Sequence, residues 1–193
     1  MSEPRHLNHA AAALTGIVES IEPGQLTAPT PCADHSVRDL LNHLLFWGPS
    51  LEGGARKEVV PPPAASESDA DLTSGDWKGD VVRQVERTSH AWSTPSAWEG
   101  MTHMGSPRQM PAELIGGMIT MEFAVHAWDL ARATDQDLDL DDDLIADARD
   151  VIAKTGDQGR AMGVFGAEVP VPDTAPPLHH LLGETGRNPQ WRP

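Results

Sequence analysis

Apolar side chains recur every three or four residues along several stretches of the chain, and this period is typical of helices with one buried face. In the second stretch, Val37, Leu40 and Leu44 mark the buried stripe. The predicted helices cover residues 4–22, 36–52, 76–93, 111–134, 141–155 and 176–184. Four long helices predict an all-α four-helix bundle, with an extra C-terminal helix and tail packed outside it.

Capping and helix-breaking residues mark the ends of these helices. Ser36 is a good N-cap, and Asp39 three residues later completes a capping box. Pro111 suits the first position of the fourth helix. The pair Thr155 and Gly156 predicts the end of the fifth helix.

The segments between the helices predict loops of two kinds. Residues 53–75 are rich in Gly, Pro, Ser and Asp, which indicates a long surface loop that could act as a lid. Residues 96–110 show no helical period, and a turn at Gly105 predicts a small hairpin there. Gly116 and Gly117 weaken the fourth helix by about 1 kcal/mol each, so we expect a close helix crossing at this point.

Length, charge and cysteine usage limit the classes of function. The 193 residues predict a single domain, with a core over about 4–134 and a C-terminal helix and tail over 135–193. A formal charge of −15 argues against nucleic acid or anionic lipid as a partner, since both attract basic surfaces. No apolar run approaches the roughly 20 residues of a membrane span, and no secretory signal is visible, so we expect a cytoplasmic protein.

The segment MEFAVHAWDLARAT, residues 121–134, carries the main candidate for chemistry. Glu122 and His126 are four residues apart, so a helix places them on one face, where they could share a metal ion or simply hydrogen-bond to each other. His43 is the best-placed third ligand, because the stripe of the second helix directs it into the core. The simpler interpretation of His43 is a buried histidine with one hydrogen-bonded neighbour.

Two imidazoles and one carboxylate are the ligand set of many catalytic zinc sites with an open position, and also of non-haem iron sites. Ligand type therefore leaves the metal open among zinc, nickel and iron. Asp129, three residues after His126, and Asp39, four residues before His43, are placed to accept the second imidazole N–H of each histidine. The alternative interpretation is that Asp39 and Asp129 are ordinary solvent-exposed carboxylates on their helices.

Other reactive side chains have simpler interpretations. Cys32, the single cysteine, is expected to be a packed residue rather than a nucleophile, because no base adjoins it in the sequence. His6 and His9 are expected to be exposed on the first helix. The acidic segment 135–144 lacks the central Gly and final Glu of a calcium loop, and more simply supplies carboxylates to the start of the fifth helix.

Two segments resemble a known family. PTPCADHSVRDLLNHLLFW and MEFAVHAWDLARATDQDLDL are similar to signature segments of the mycothiol-dependent maleylpyruvate isomerase metal-binding domain, within the DinB-like superfamily. The ending FGAEVPVPDTAPPLHHLLGETGRNP resembles the tail of a single-domain actinobacterial subgroup. The resemblance implies a DinB-like four-helix bundle with a bound divalent metal, commonly zinc, and its metal ligands fall on His43, Glu122 and His126.

The resemblance also shapes the expected activity. Characterised isomerases of the family carry a second, sterol-carrier-like domain, and the chain reaches Pro193 without one, which favours thiol transfer over isomerisation of maleylpyruvate. We therefore expect a metal-held thiolate, such as that of mycothiol, to attack an electrophilic small molecule. The site is expected beside a pocket lined by residues such as Trp47 and Trp128.

Two further classes of function fit the same residues. One is a metal-dependent hydrolase with metal-bound water as nucleophile, and the other is a non-catalytic metal-binding protein of a stress response. The oligomeric state, including a homodimer, stays open, as does the substrate.

Overall fold

A computed structural model describes residues 4–33 and 35–193 of the chain. A two-stranded hairpin, β1 (Met101–His103) and β2 (Gln109–Pro111), precedes the fourth helix. The helices are α1 (Pro4–Ser20), α2 (Val37–Ala55), α3 (Trp77–Ala91), α4 (Ala112–Ala133), α5 (Asp142–Ala161) and α6 (Pro177–Glu184).

Helices α1 to α4 surround one hydrophobic core. Helix α1 packs against α3 and α4, and α2 packs against the same two helices from the other side. Helix α5 covers α4 from outside, and α6 packs on α5. The predicted all-α bundle with a small hairpin and an additional C-terminal helix is thus confirmed. No helix in the described ranges is both long and apolar enough to span a bilayer. Fully buried core side chains include Leu7, Leu14, Leu40, Leu41, Ile115, Ile119, Leu130 and Leu144.

The hairpin is fastened to the end of α2. Its strands pair antiparallel, with Thr102 opposite Met110, and the hydroxyl of Thr102 donates to the carbonyl of Gly54. Gly105 forms the turn with a positive φ of 68°, a conformation that favours glycine. A Cβ atom at Gly105 would lie 3.3 Å from the ring of Trp47, so the turn packs closely on that indole.

Helix α5 continues past the predicted end at Gly156 to Ala161, which corrects the sequence prediction. Arg160 in the added turn donates to the carbonyl oxygen of Glu184 at 3.1 Å and pairs with Glu168 at 2.9 Å. These tertiary contacts outweigh the helix-weakening effect of a single glycine, which is only about 1 kcal/mol.

Two other expectations are corrected by packing. The close approach at Gly116 is made by the indole of Trp98 rather than by another helix, since a Cβ atom there would lie 2.4 Å from that ring. His6 is buried rather than exposed, because α5 covers it and brings Asp147 to 2.6 Å from His6 Nδ1. The second α1 histidine, His9, pairs at 2.6 Å with Asp141.

Candidate metal centre

Helices α2 and α4 bring the three predicted ligands together. Glu122 Oε1 lies 2.7 Å from His43 Nε2 and 3.2 Å from His126 Nε2. The two imidazole rings have centroids 5.2 Å apart, and one donor atom from each residue lies within 4.8 Å of the others. The i, i+4 spacing on α4 aligns Glu122 with His126, and the buried stripe of α2 aims His43 at them.

A second carboxylate faces the other nitrogen of each imidazole. His43 Nδ1 lies 3.0 Å from Glu67 Oε1, and His126 Nδ1 lies 3.0 Å from Asp129 Oδ2. A carboxylate only accepts, so Nδ1–H donates to it, and the proton on Nε2 of His43 faces Glu122; loss of that proton would free the Nε2 lone pair for a metal ion. Both rings are thus held with Nε2 towards one common point.

Asp39, which was predicted to orient His43, is used elsewhere. Its Oδ2 accepts hydrogen bonds from the backbone N–H of Ser36 at 2.8 Å and from the Ser36 hydroxyl at 2.6 Å. The hydroxyl in turn accepts from the Asp39 amide at 3.3 Å, which completes the capping box of α2. Capping fixes this carboxylate one helical turn away from the imidazole, so the predicted role of Asp39 is wrong.

The residue that fills the role is Glu67, in a short 3₁₀ turn (Glu67–Asp69) of the long loop. Glu67 Oε1 also accepts from the indole N–H of Trp47 at 2.8 Å, and its backbone carbonyl accepts from Asn42 at 3.2 Å. These bonds fasten the loop to α2. No sequence signal could link Glu67 to His43, because the path of a 21-residue loop over 56–76 depends on tertiary contacts.

Asp129 takes the position predicted for it beside His126, and a second partner holds it there. Arg187, from the segment after α6, is buried and its Nη2 lies 3.1 Å from Asp129 Oδ2. The same nitrogen lies 3.3 Å from the sulfur of Cys32. Sequence reasoning missed Arg187, because it lies 58 residues from Asp129 along the chain.

The carboxylates raise the pKa of both imidazoles. Burial alone would lower the pKa of His43, but the charge of Glu122 and hydrogen bonds to Glu122 and Glu67 outweigh burial and raise the pKa to about 10. Burial likewise opposes charge on His126, whose pKa is nevertheless raised by Glu122 and Asp129. Burial also opposes ionisation of Glu122, yet the two histidines hold its pKa well below the usual range. The centre therefore stabilises positive charge strongly.

The two tryptophans predicted to line one pocket have different surroundings. Trp47 lies beside the triad through its bond to Glu67. Trp128 instead lines a cleft of about 460 Å³ with Arg132 and the C-terminal segment, and no triad residue lines that cleft. Residues two apart on a helix point about 200° apart, so Trp128 faces away from His126.

The fold and this centre define a helical-bundle protein with a candidate His/Glu/His metal site. Residues 7–131 match the sequence model of the mycothiol maleylpyruvate isomerase N-terminal domain. The chain therefore belongs to this family, and the family resemblance expected from the sequence is confirmed.

Two solved structures are similar in fold. A crystal structure of the mycothiol-dependent maleylpyruvate isomerase has a TM-score of 0.56 at 15% identity, over 82% of this chain and 75% of that chain. The structure of a histidine-to-alanine mutant of that isomerase has a TM-score of 0.59 at 16% identity, with the same coverage. At identities this low, the structural similarity shows a shared fold and nothing more.

Two proteins of Mycobacterium tuberculosis are similar over nearly their whole length. Both are called uncharacterized proteins, Rv0738 of strain H37Rv and MT0763 of strain CDC 1551 / Oshkosh. Each is 28% identical over 183 residues, which are 92% of this chain and 93% of the relative.

Proposed function

We propose that His43, Glu122 and His126 bind a divalent metal, with zinc favoured, and that the chain uses it to activate a low-molecular-weight thiol of the mycothiol type. The thiolate would attack an electrophilic small molecule, in a transfer or an isomerase-like reaction. The observation that carries the proposal is the convergence of two imidazole Nε2 atoms on Glu122 Oε1 at 2.7 and 3.2 Å.

The donor set fits a zinc ion. Zinc takes imidazole nitrogen and carboxylate oxygen at about 2.0–2.2 Å, and two such donors in a tetrahedral arrangement lie about 3.4 Å apart. The distances from Glu122 Oε1 to the imidazoles are slightly shorter than this, so a small outward movement of the side chains would admit the ion. Three protein ligands leave one position for an exogenous ligand, which is the pattern of catalytic rather than structural zinc.

The surrounding residues support the same assignment. Metal-binding imidazoles in proteins usually donate their other N–H to a carboxylate, which sets the tautomer and raises the basicity of the ligand. Glu67 and Asp129 hold these positions at 3.0 Å. The loop containing Glu67 and the segment containing Arg187 thus set the orientation of the two imidazoles.

The family and the solved neighbours support a thiol as cosubstrate. The family takes its name from a mycothiol maleylpyruvate isomerase, and the crystallised neighbours are described as mycothiol-dependent. A divalent metal supplies Lewis-acid chemistry that keeps a coordinated thiol deprotonated at neutral pH. In this chain Glu122 would neutralise one charge of the ion, and the indole of Trp47 beside Glu67 would limit water on the His43 side.

A thiol-consumption assay tests the proposal. The zinc-loaded chain is mixed with mycothiol or, separately, glutathione, and with a panel of electrophiles that includes maleylpyruvate, epoxides and activated halides. We expect mycothiol consumption or isomerisation of at least one electrophile, lost in Glu122→Ala and retained in Asp39→Asn. Full zinc occupancy without any thiol-dependent reaction would contradict thiol activation. Turnover of esters or amides without thiol would instead identify a hydrolase.

A further inference from the structure

The cleft beside Trp128 is lined by none of the triad residues and has a distinct chemistry. Trp128 and Arg132 are four residues apart and share one face of α4. Across the cleft, Pro189, Gln190 and Arg192 form the other wall, and His179 of α6 contributes as well. Among the described residues, no acidic side chain lines the cleft, although the chain as a whole carries a formal charge of −15.

The two arginines of the cleft are unlike most arginines in the chain. Arg149 pairs with Glu184 at 2.6 Å, and Arg160 and Arg187 likewise pair with carboxylates. Within the described ranges neither Arg132 nor Arg192 pairs with a carboxylate. The Nε atom of Arg132 is buried and has no hydrogen-bond acceptor among the described residues. A buried donor without an acceptor is rare in folded proteins, so a water molecule or a ligand is expected to accept from it.

The walls of the cleft are fixed in place. Helix α4 is buried in the bundle, and the segment after α6 is tied to α4 by the Arg187–Asp129 pair at 3.1 Å. The guanidinium of Arg187 also donates to the carbonyl of Thr185 at 2.9 Å. The segment that carries residues 189–192 is therefore anchored next to α4 at Arg187, and Arg192 lines the same cleft as Arg132.

We propose that this cleft binds a small organic carboxylate, as a site separate from the metal centre. Guanidinium groups bind carboxylates through paired N–H···O bonds, and Trp128 contributes apolar surface to the wall of the cleft. A volume of about 460 Å³ is within the range of small-molecule sites. The site takes a ligand with one charged end and one flat or unsaturated body.

Calorimetric titration of the full chain with sodium benzoate tests the proposal. Benzamide has the same ring without the charge, and inorganic phosphate has the charge without the ring. We expect saturable binding of benzoate. Benzamide should bind about tenfold or more weakly, because it cannot form charge-assisted hydrogen bonds, and phosphate should bind about tenfold or more weakly, because it has no apolar ring to bury. Equal affinity for benzamide or for phosphate, or no saturable binding of benzoate, would overturn it.

Variants locate the binding. Arg132→Gln and Arg192→Gln should each weaken benzoate about tenfold or more, while Arg108→Gln, on the exposed hairpin turn, should bind as wild type does. Arg192 is exposed, so its substitution tests the site without disturbing the core. Wild-type affinity in both cleft variants would overturn the proposal. Loss of benzoate binding in Glu122→Ala or after chelation would also overturn it, since benzoate would then bind at the triad. These tests can refute carboxylate binding in the cleft without affecting the proposed metal centre, and loss of the metal centre would not refute carboxylate binding.

Discussion

At the scale of single residues, the centre depends on histidines that use both ring nitrogens. His43 and His126 turn Nε2 towards Glu122 and Nδ1 towards a second carboxylate, at distances between 2.7 and 3.2 Å. Each ring is thereby fixed in tautomer and in orientation. The carboxylates behind the rings should therefore affect metal affinity even though they are not ligands.

Glu67→Gln should weaken zinc binding by about 10–100-fold, because the amide can no longer accept from His43 as a charged partner. The matched control is Asp39→Asn, the same carboxylate-to-amide change on the residue that caps α2. Competition with a chromophoric chelator gives both affinities. Equal losses in the two variants would contradict the assignment of Glu67 as the residue that orients His43.

Zinc binding should release protons at pH 7.5. The pKa of His43 is raised to about 10, so its imidazole is charged at this pH and must lose a proton before it can bind the ion. Affinity should therefore keep rising with pH up to about 10, whereas an imidazole with the ordinary pKa of about 6.5 would level off near neutrality. Calorimetry in buffers of different ionisation enthalpy measures the released protons. Release of almost none at pH 7.5 would contradict the raised pKa.

At the scale of elements, α4 carries two ligands of the triad and also packs tightly along other faces. The indole of Trp98 packs directly against Gly116 in the first half of α4. Its N–H donates to the carbonyl of Trp92 at 2.7 Å. The segment leading into the hairpin therefore fixes the start of α4. The glycine is required by this contact rather than by the helix.

Gly116→Ala should destabilise the chain by about 1–3 kcal/mol, since the new methyl group would overlap the Trp98 ring. Gly16→Ala in α1 is the matched control, because a Cβ atom there meets nothing within 4 Å. That substitution should stabilise the chain by up to about 1 kcal/mol through helix propensity alone. Urea unfolding of both variants measures the difference. A Gly116→Ala chain as stable as wild type would contradict the packing.

The sequence predicts the parts of this structure that depend on local periodicity. The 3.6-residue period predicts the helices of the bundle, and the i, i+4 spacing predicts that Glu122 and His126 share a face. It cannot predict the partners of these residues across long loops. Glu67 reaches His43 from the loop, and Arg187 reaches Asp129 over 58 residues, so both depend on the packed bundle. The capping box is local and the sequence predicts it, but the sequence does not show that this box holds Asp39 away from His43.

At the scale of the whole molecule, the segment after α6 is attached to α4 next to the metal centre, where Arg187 pairs with Asp129. Arg187 makes this attachment, because its buried guanidinium contacts both Asp129 on α4 and Cys32 in the loop before α2. The same segment walls the carboxylate cleft. The two sites therefore share one structural support, although none of the triad residues lines the cleft.

Arg187→Gln should destabilise the chain by about 3 kcal/mol, because the buried Asp129 carboxylate loses its arginine and keeps only His126 as a partner. The control is Arg83→Gln, which removes an exposed pair with Asp80 and should change stability by no more than about 1 kcal/mol. The double variant with Asp129→Asn should lose less than the sum of the two single losses. Additive losses in chemical unfolding would contradict a direct pair.

The central claim is the three-residue metal centre, and metal content tests it most directly. Wild type and the variants His43→Ala, Glu122→Ala and His126→Ala are dialysed against zinc and then metal-free buffer, and zinc is counted by elemental analysis. We expect about one zinc per chain in wild type and a large loss in each variant, with Asp39→Asn as the folded control. Wild-type zinc content in all three alanine variants would contradict it.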